Sequence, residues 1–427
     1  MASDLFAVAY AKVSKGQFDQ AIPMLEALCE RNASSSAANI LMSAAFLGAR
    51  RFNLARNHAA TARTLSQLVD RGVPLDCIDE FLARISAVEA WRPTYGPSRL
   101  VEERPDTPLP PQIEDLYKIN IGWMPYLNWM MRPNQTTPSI STDGYGCRHT
   151  IGRDGQLFGA CEFAGTDYFG FFGASAAFGA GASGNDKTIP SRLTALGDGT
   201  PWLNFAIPSS ILEFNLMSAL FLRPLRARPR AFVVFAGANE LYAPLSQPVA
   251  LHPFGCCWHI PDFLNRMMGP TAEWAPSMGP ALVDPTPAAE RDIGDVCRRL
   301  EELLTKTLRN FSCLANGCGA PLYFVLQPNK YWMRRRKFHA RELDYFSRYD
   351  ERLDGYRAAG DLFGELFDWY RDTLARICER VGVEFIDLNG MIDDPRYEDI
   401  CVFIDPVHLT DEGYDLAARL IAEEVLA

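Results

Sequence analysis

Between Tyr168 and Ala427 short apolar runs alternate with helical stretches, and this alternation leaves few folds open to the chain. The runs are Tyr168–Phe172, Trp202–Phe205, Ala231–Ala236, Leu322–Leu326 and Glu384–Leu388. The stretches set among them, read as helices, are Ile189–Leu196, Leu212–Leu222, Ala288–Ala315, Leu362–Arg380 and Gly413–Val425. Strands this short, alternating with helices, argue for a mostly parallel sheet with helices on both faces. In such folds reactive residues sit on loops at the carboxyl ends of the strands. The connection from Asn239 to Pro287 is unusually long and rich in Pro, Gly and Met. It reads as a lid over the site or as an irregular surface insertion.

The chain has 427 residues, more than one core usually holds, so two or three domains are expected. Residues 1–93 read as helical. Apolar residues recur at helical spacing through Phe6, Tyr10, Val13 and again through Ala21, Met24, Leu25, Leu28. Gln17-Phe18-Asp19-Gln20-Ala21 returns as Arg51-Phe52-Asn53-Leu54-Ala55, a shift of 34 residues. That is the period of the tetratricopeptide repeat, which the Gly16–aromatic–Ala turn resembles; a plain helical bundle is the other reading. Repeats of that kind imply a surface for a protein or carrier domain, or self-association. Trp91 to Gln112, with Pro105, Pro108, Pro110 and Pro111, reads as a linker. Leu116 to Thr150 is aromatic-rich and reads as short strands and loops, so 94–167 forms an accessory region. The third division, 168–427, carries an insertion at about 242–286.

Charge and composition narrow the function. A net charge of -10 and too few clustered cations exclude a general nucleic-acid binder. The short cluster Arg334-Arg335-Arg336-Lys337 reads as a solvated helix start. No run approaches the roughly 18 apolar residues of a membrane span. Met1 to Gln17 lacks the pattern of a secretory signal, and eleven scattered cysteines read as mostly buried, reduced thiols. A cytoplasmic protein is the expectation.

Three segments after strand ends carry chemistry. In Gly173-Ala174-Ser175-Ala176-Ala177-Phe178-Gly179 a serine stands among small residues at a strand-to-helix turn, with its hydroxyl exposed and its backbone N–H free for an oxyanion. Gly237-Ala238-Asn239-Glu240 can present the Asn239 amide toward the same cleft. In Asp405-Pro406-Val407-His408 the acid and the imidazole lie three residues apart at the mouth of the last helix. The carboxylate can there fix the imidazole tautomer and stabilise an imidazolium.

The order of these segments closely resembles the SGNH (GDSL-like) hydrolases, over roughly Tyr168 to Ala427. The resemblance implies a flavodoxin-like three-layer α/β/α domain with a mostly parallel five-stranded sheet, preceded by an all-α helical-repeat domain. It implies Ser175 as nucleophile, His408 as general base and Asp405 as its orienting partner, with no metal or organic cofactor. It further implies an oxyanion hole from the Ser175 N–H, the Asn239 side chain and a backbone N–H in Asn204-Phe205-Ala206-Ile207-Pro208-Ser209. Ser209 stands where the family usually places glycine, so its donor works only if that residue can take the needed backbone angles. Ala174 and Glu240 each replace a residue that is often Asp in the family.

The implied activity is hydrolysis of an ester or thioester, on a small molecule or a carrier-bound acyl group, through an acyl-enzyme. Acyl transfer at the same site, or a non-catalytic interaction scaffold, are the alternatives. Trp123 to Trp129 and the insertion after Asn239 are the expected selectors of substrate. Gln327 and Asn329, after the fourth strand, are candidates to touch substrate, with ordinary turn chemistry as the rival reading. His252-Pro253-Phe254-Gly255-Cys256-Cys257-Trp258-His259 has the residue types of a metal site but poor spacing, and is read as structural.

Overall fold

The computed structural model describes residues 2–15, 17–31, 35–48, 52–68, 73–90, 110–119, 121–124, 127–246, 292–350 and 362–426. They fall into two compact units, Met1–Thr94 and Tyr95–Ala427.

The first unit is helical: α1 (Ala2–Ser14), α2 (Phe18–Arg31), α3 (Ser36–Gly48), α4 (Phe52–Leu68) and α5 (Leu75–Ala90). The starts of α1 and α3 are 34 residues apart (36 − 2), and so are those of α2 and α4 (52 − 18). Small residues at equivalent places let the helices approach closely. Ala9 and Ser43, and likewise Ala21 and Ala55, are fully buried, and the Ser43 hydroxyl donates to the Ala55 carbonyl at 2.6 Å. Ala21, Leu25 and Leu28 enter the core with Leu41, Met42 and Phe46. Tyr10, expected on the apolar stripe, is exposed.

In the second unit, α6 (Pro111–Lys118) precedes two antiparallel pairs, β1 (Ile121–Met124) with β2 (Asn128–Met131) and β3 (Thr150–Ile151) with β4 (Leu157–Phe158). The helix α6 replaces the end of the expected linker; Pro111 at its start supplies a suitable fixed φ where no N–H is needed. The central sheet has five parallel strands, β5 (Asp167–Gly173), β6 (Trp202–Asn204), β7 (Arg228–Ala236), β8 (Leu322–Leu326) and β9 (Glu384–Ile386), in the order β6-β5-β7-β8-β9. Alternate residues feed two cores. Tyr168, Phe172, Phe232, Val234 and Phe324 face one, while Phe169, Phe171, Val233, Phe235 and Val325 face the other. Because both faces are covered, the strands read as unbroken apolar runs.

The first core is closed by α9 (Leu212–Leu222), α10 (Ala238–Ser246), α11 (Ile293–Gly317) and α13 (Phe367–Val381). The second is closed by α7 (Ser175–Phe178), α8 (Ile189–Leu196), α12 (Ala340–Asp350), α14 (Leu388–Ile392) and α15 (Asp411–Val425). This is a three-layer α/β/α domain with flavodoxin-like strand order. Its topological switch lies between β5 and β7, where such sheets open a crevice at the carboxyl ends of their strands.

Several expectations are corrected. The chain after Asn239 does not begin as an irregular connection, because α10 continues to Ser246. The rest of the insertion, with His252 to His259, lies outside the described residues, as do the side chains of Trp123 and Trp129 and all of Tyr126. The fifth strand stops at Ile386, since the Asp387 side chain accepts from the Gly390 N–H and starts α14. The basic cluster is not a solvated helix start. It precedes α12, its backbone N–H groups at Arg334, Arg335 and Arg336 wrap the Asp393 carboxylate, and Arg336 is fully buried in an ion pair with Glu342. Nine described cysteines are free thiols, of which only Cys147, Cys378 and Cys401 are buried, so the thiols are not mostly buried. No described helix is long and apolar enough to cross a membrane.

Candidate active site

Ser175 owes its place to the turn that ends β5. Gly173 takes a φ of 148°, and a Cβ there would collide with the carbonyl oxygen of Phe235 on β7. The chain then reverses through Ala174 and opens α7 at Ser175, whose backbone N–H has no partner among the described residues. The helix ends after four residues at left-handed Gly179, which donates to the carbonyls of Ser175 and Ala176.

The second segment is a tight loop before α15. Phe403 and Leu409 form an isolated bridge, the Ile404 N–H donates to the His408 carbonyl, and Thr410 caps α15. Within this loop Asp405 Oδ1 accepts from the Val407 and His408 N–H groups at 2.8 and 2.7 Å. Its other oxygen, Oδ2, meets His408 Nδ1 at 2.5 Å, and His408 Nε2 meets Ser175 Oγ at 2.7 Å. Gly181 lets the two segments close up, since a Cβ there would strike the Leu409 carbonyl.

The electrostatics fix the direction of this row. Burial by itself would raise the Asp405 carboxyl, but the adjoining imidazole and the hydrogen bonds it accepts outweigh burial and hold it below the usual range. An ionised carboxylate only accepts, so the proton between the two groups belongs to His408 Nδ1. In the neutral imidazole the lone pair of Nε2 is then left for the Ser175 hydroxyl.

The oxyanion candidates are stitched to the same turn. The Gly173 carbonyl accepts from the Ile207 N–H at 3.0 Å and the Ser210 hydroxyl at 3.1 Å, while the Gly173 N–H donates to Asn215 Oδ1 at 3.1 Å. The carbonyl of the same Ser210 accepts from the Asn239 side-chain amide at 2.8 Å. Ser209 lies inside this stitched turn with φ 60°, the left-handed region that favours glycine. That φ is one glycine takes without strain. Asn239 itself lies in the first turn of α10, directly after β7.

The other candidates differ. Asn329 is buried, and its side chain accepts from the Tyr331 N–H, capping a short turn; of the two readings it matches turn chemistry. Gln327 is buried at the end of β8, where its N–H donates to the Ala236 carbonyl. Neither is hydrogen-bonded to Ser175 or His408. No group of three or more metal-ligating side chains occurs among the described residues.

Sequence reasoning missed two buried groups beside the site. Glu342 accepts from Arg336, from the His339 N–H at 2.6 Å, and from the Val402 and Phe403 N–H groups at 3.0 and 2.9 Å, so it anchors the start of the loop that carries His408. Arg148 lies under α7. Its bonds go to residues up to 37 positions away, so no local spacing signals it.

No protein-family model matches the chain, and no curated protein does. Among solved structures the chain is similar to a lipolytic protein of the G-D-S-L family from Veillonella parvula, at 14% identity and TM-score 0.33, covering 61% of this chain and 98% of that one. It is also similar to an acetylxylan esterase from Geobacillus stearothermophilus, at 12% identity and TM-score 0.35, covering 62% and 96%. A third is phospholipase A1 from Streptomyces albidoflavus, at 12% identity and TM-score 0.33, covering 62% and 100%.

Proposed function

We propose that the chain is a serine-dependent ester or thioester hydrolase. Ser175 attacks the acyl carbonyl, His408 Nε2 takes its proton, and Asp405 holds the imidazole in the tautomer that makes this transfer direct. The tetrahedral oxyanion is received by the Ser175 N–H, the Ser209 N–H and the Asn239 amide. His408 then returns the proton to the leaving oxygen or sulfur, and an acyl-enzyme remains. Water, activated by the same imidazole, releases the acid and restores Ser175. Every atom that moves belongs to substrate, water or these side chains.

The observation that carries this reading is the unbroken row from Ser175 Oγ through His408 to Asp405, with spacings of 2.7 and 2.5 Å. Residues 233 positions apart meet there at a strand-end crevice. The test is labelling with a fluorophosphonate, which mimics the tetrahedral intermediate. The wild-type protein is expected to be labelled and Ser175→Ala not; a folded wild-type protein that stays unlabelled overturns the reading.

A further inference from the structure

Helix α7 cannot hold its own shape. Four residues form barely one turn, and a single turn in isolation is unfavourable because nucleation fixes several dihedrals for few hydrogen bonds. Yet Ser175 is its first residue, and the spacing to His408 depends on how the helix is seated. Arg148 supplies the seat. Its side chain is fully buried, and Nη1 donates to the carbonyls of Phe178 and Gly179 at 3.2 and 2.6 Å, at the far end of α7. Nη2 donates to the Ser139 carbonyl at 2.6 Å and Nε to Asn185 Oδ1 at 2.8 Å. The guanidinium also lies 5.4 Å from the centre of the Phe178 ring.

No carboxylate touches this cation among the described residues. Burial lowers its pKa to about 10, which leaves it charged at neutral pH. A buried cation without an acid partner is costly to keep, and the carbonyl ends of a helix are among the few groups that compensate it. The planar fork reaches four acceptors on three separate segments, a geometry that a lysine ammonium cannot reproduce.

We infer that Arg148 is a positioning residue for Ser175: by clamping the end of α7 to Ser139 and Asn185, it holds the Ser175 hydroxyl within reach of His408 Nε2. The inference rests on the proposed hydrolase reading for its catalytic consequence, while the placement of Ser175 can be tested without it.

The experiment compares wild type, Arg148→Met and Arg148→Lys. Each is measured for thermal unfolding, for fluorophosphonate labelling per folded molecule, and for kcat and KM on a small p-nitrophenyl ester. Crystal structures give the Ser175 Oγ to His408 Nε2 separation. Both variants are expected to label and turn over roughly 100-fold more slowly, as a displacement of about 1 Å does in other enzymes, with KM within about twofold of wild type. The Oγ to Nε2 separation is expected to exceed hydrogen-bond reach. A folded Arg148→Met protein with wild-type labelling and an intact hydrogen bond overturns the inference; if that variant does not fold, Arg148→Lys, which keeps the charge, decides the matter by the same two measurements. Should wild type itself resist labelling, the hydrolase reading fails, and the separation measured in the variants still decides the positioning role.

Discussion

Replacing Glu240 by Gln should remove a measurable part of the stability this protein loses as pH rises from about 5 to 8. The Glu240 side chain is buried in the first turn of α10, directly after Asn239. One oxygen accepts from the Gly237 N–H at 2.7 Å, and the other has no hydrogen-bond partner. Beside it are Glu213, from the first turn of α9, and a cavity of about 10 Å³ walled by Leu300, Leu303 and Leu304, room for about one water. Burial, reinforced by Glu213, raises the Glu240 pKa from 4.5 to about 7, despite the backbone hydrogen bonds that oppose the rise. The folded protein therefore keeps a proton that the unfolded chain releases, and stability falls as pH rises through that window. The full loss is about 3 kcal/mol at 1.36 kcal/mol per pH unit, and about 2 kcal/mol of it falls between about pH 5.5 and 8.5. Gln keeps the acceptor for Gly237 and cannot ionise, so this contribution vanishes. Urea unfolding of both proteins across the range measures it. Any constant offset from the new amide cancels, because only the difference in pH dependence matters. Parallel curves for the two proteins refute the argument, and would mean that Glu240 is solvated or ionised when folded.

Two further outcomes are expected. Ser209→Gly should keep wild-type turnover, because glycine takes φ 60° without strain; Ser209→Val, β-branched at φ 60°, should lower kcat at least about tenfold. Equal rates on a p-nitrophenyl ester for the Gly and Val variants contradict this. Glu342→Gln should destabilise by about 3–5 kcal/mol in chemical denaturation, because it leaves Arg336 buried without its partner; a loss below about 1 kcal/mol shows that the pair is not the anchor described.

The sheet is legible in the sequence because its strands are buried on both faces. Leu322–Leu326 is recovered residue for residue, as are the helices Ile189–Leu196 and Leu212–Leu222. The helix Ala340–Asp350 escapes a reading by apolar period, since its sequence is mostly polar and, among its described side chains, only Glu342 and Phe346 are buried. The residues of the candidate site are legible for a different reason: Ser175, Asn239 and His408 each follow a chain reversal with its own local grammar. Groups defined by distant partners are not. Arg336 looks like part of a solvated cluster until the carboxylate of Glu342 is placed against it, and Arg148 has no neighbour in sequence that needs it. For Ser209 the resemblance poses only a condition on the backbone, and its φ of 60° is a property of the folded chain that the sequence does not show.

The His408 imidazole and the Ser175 hydroxyl reach the crevice by different routes. Ser175 opens a short helix directly after the central strand β5, whereas His408 hangs from a loop secured by α12 and by the docking of α15. On the proposed hydrolase reading, reactivity at Ser175 would therefore be a gauge of the outer layer. A fluctuation that peels α15 away would withdraw the imidazole and silence the serine while the five strands remained paired, so loss of probe labelling on heating should precede loss of the sheet's spectral signal.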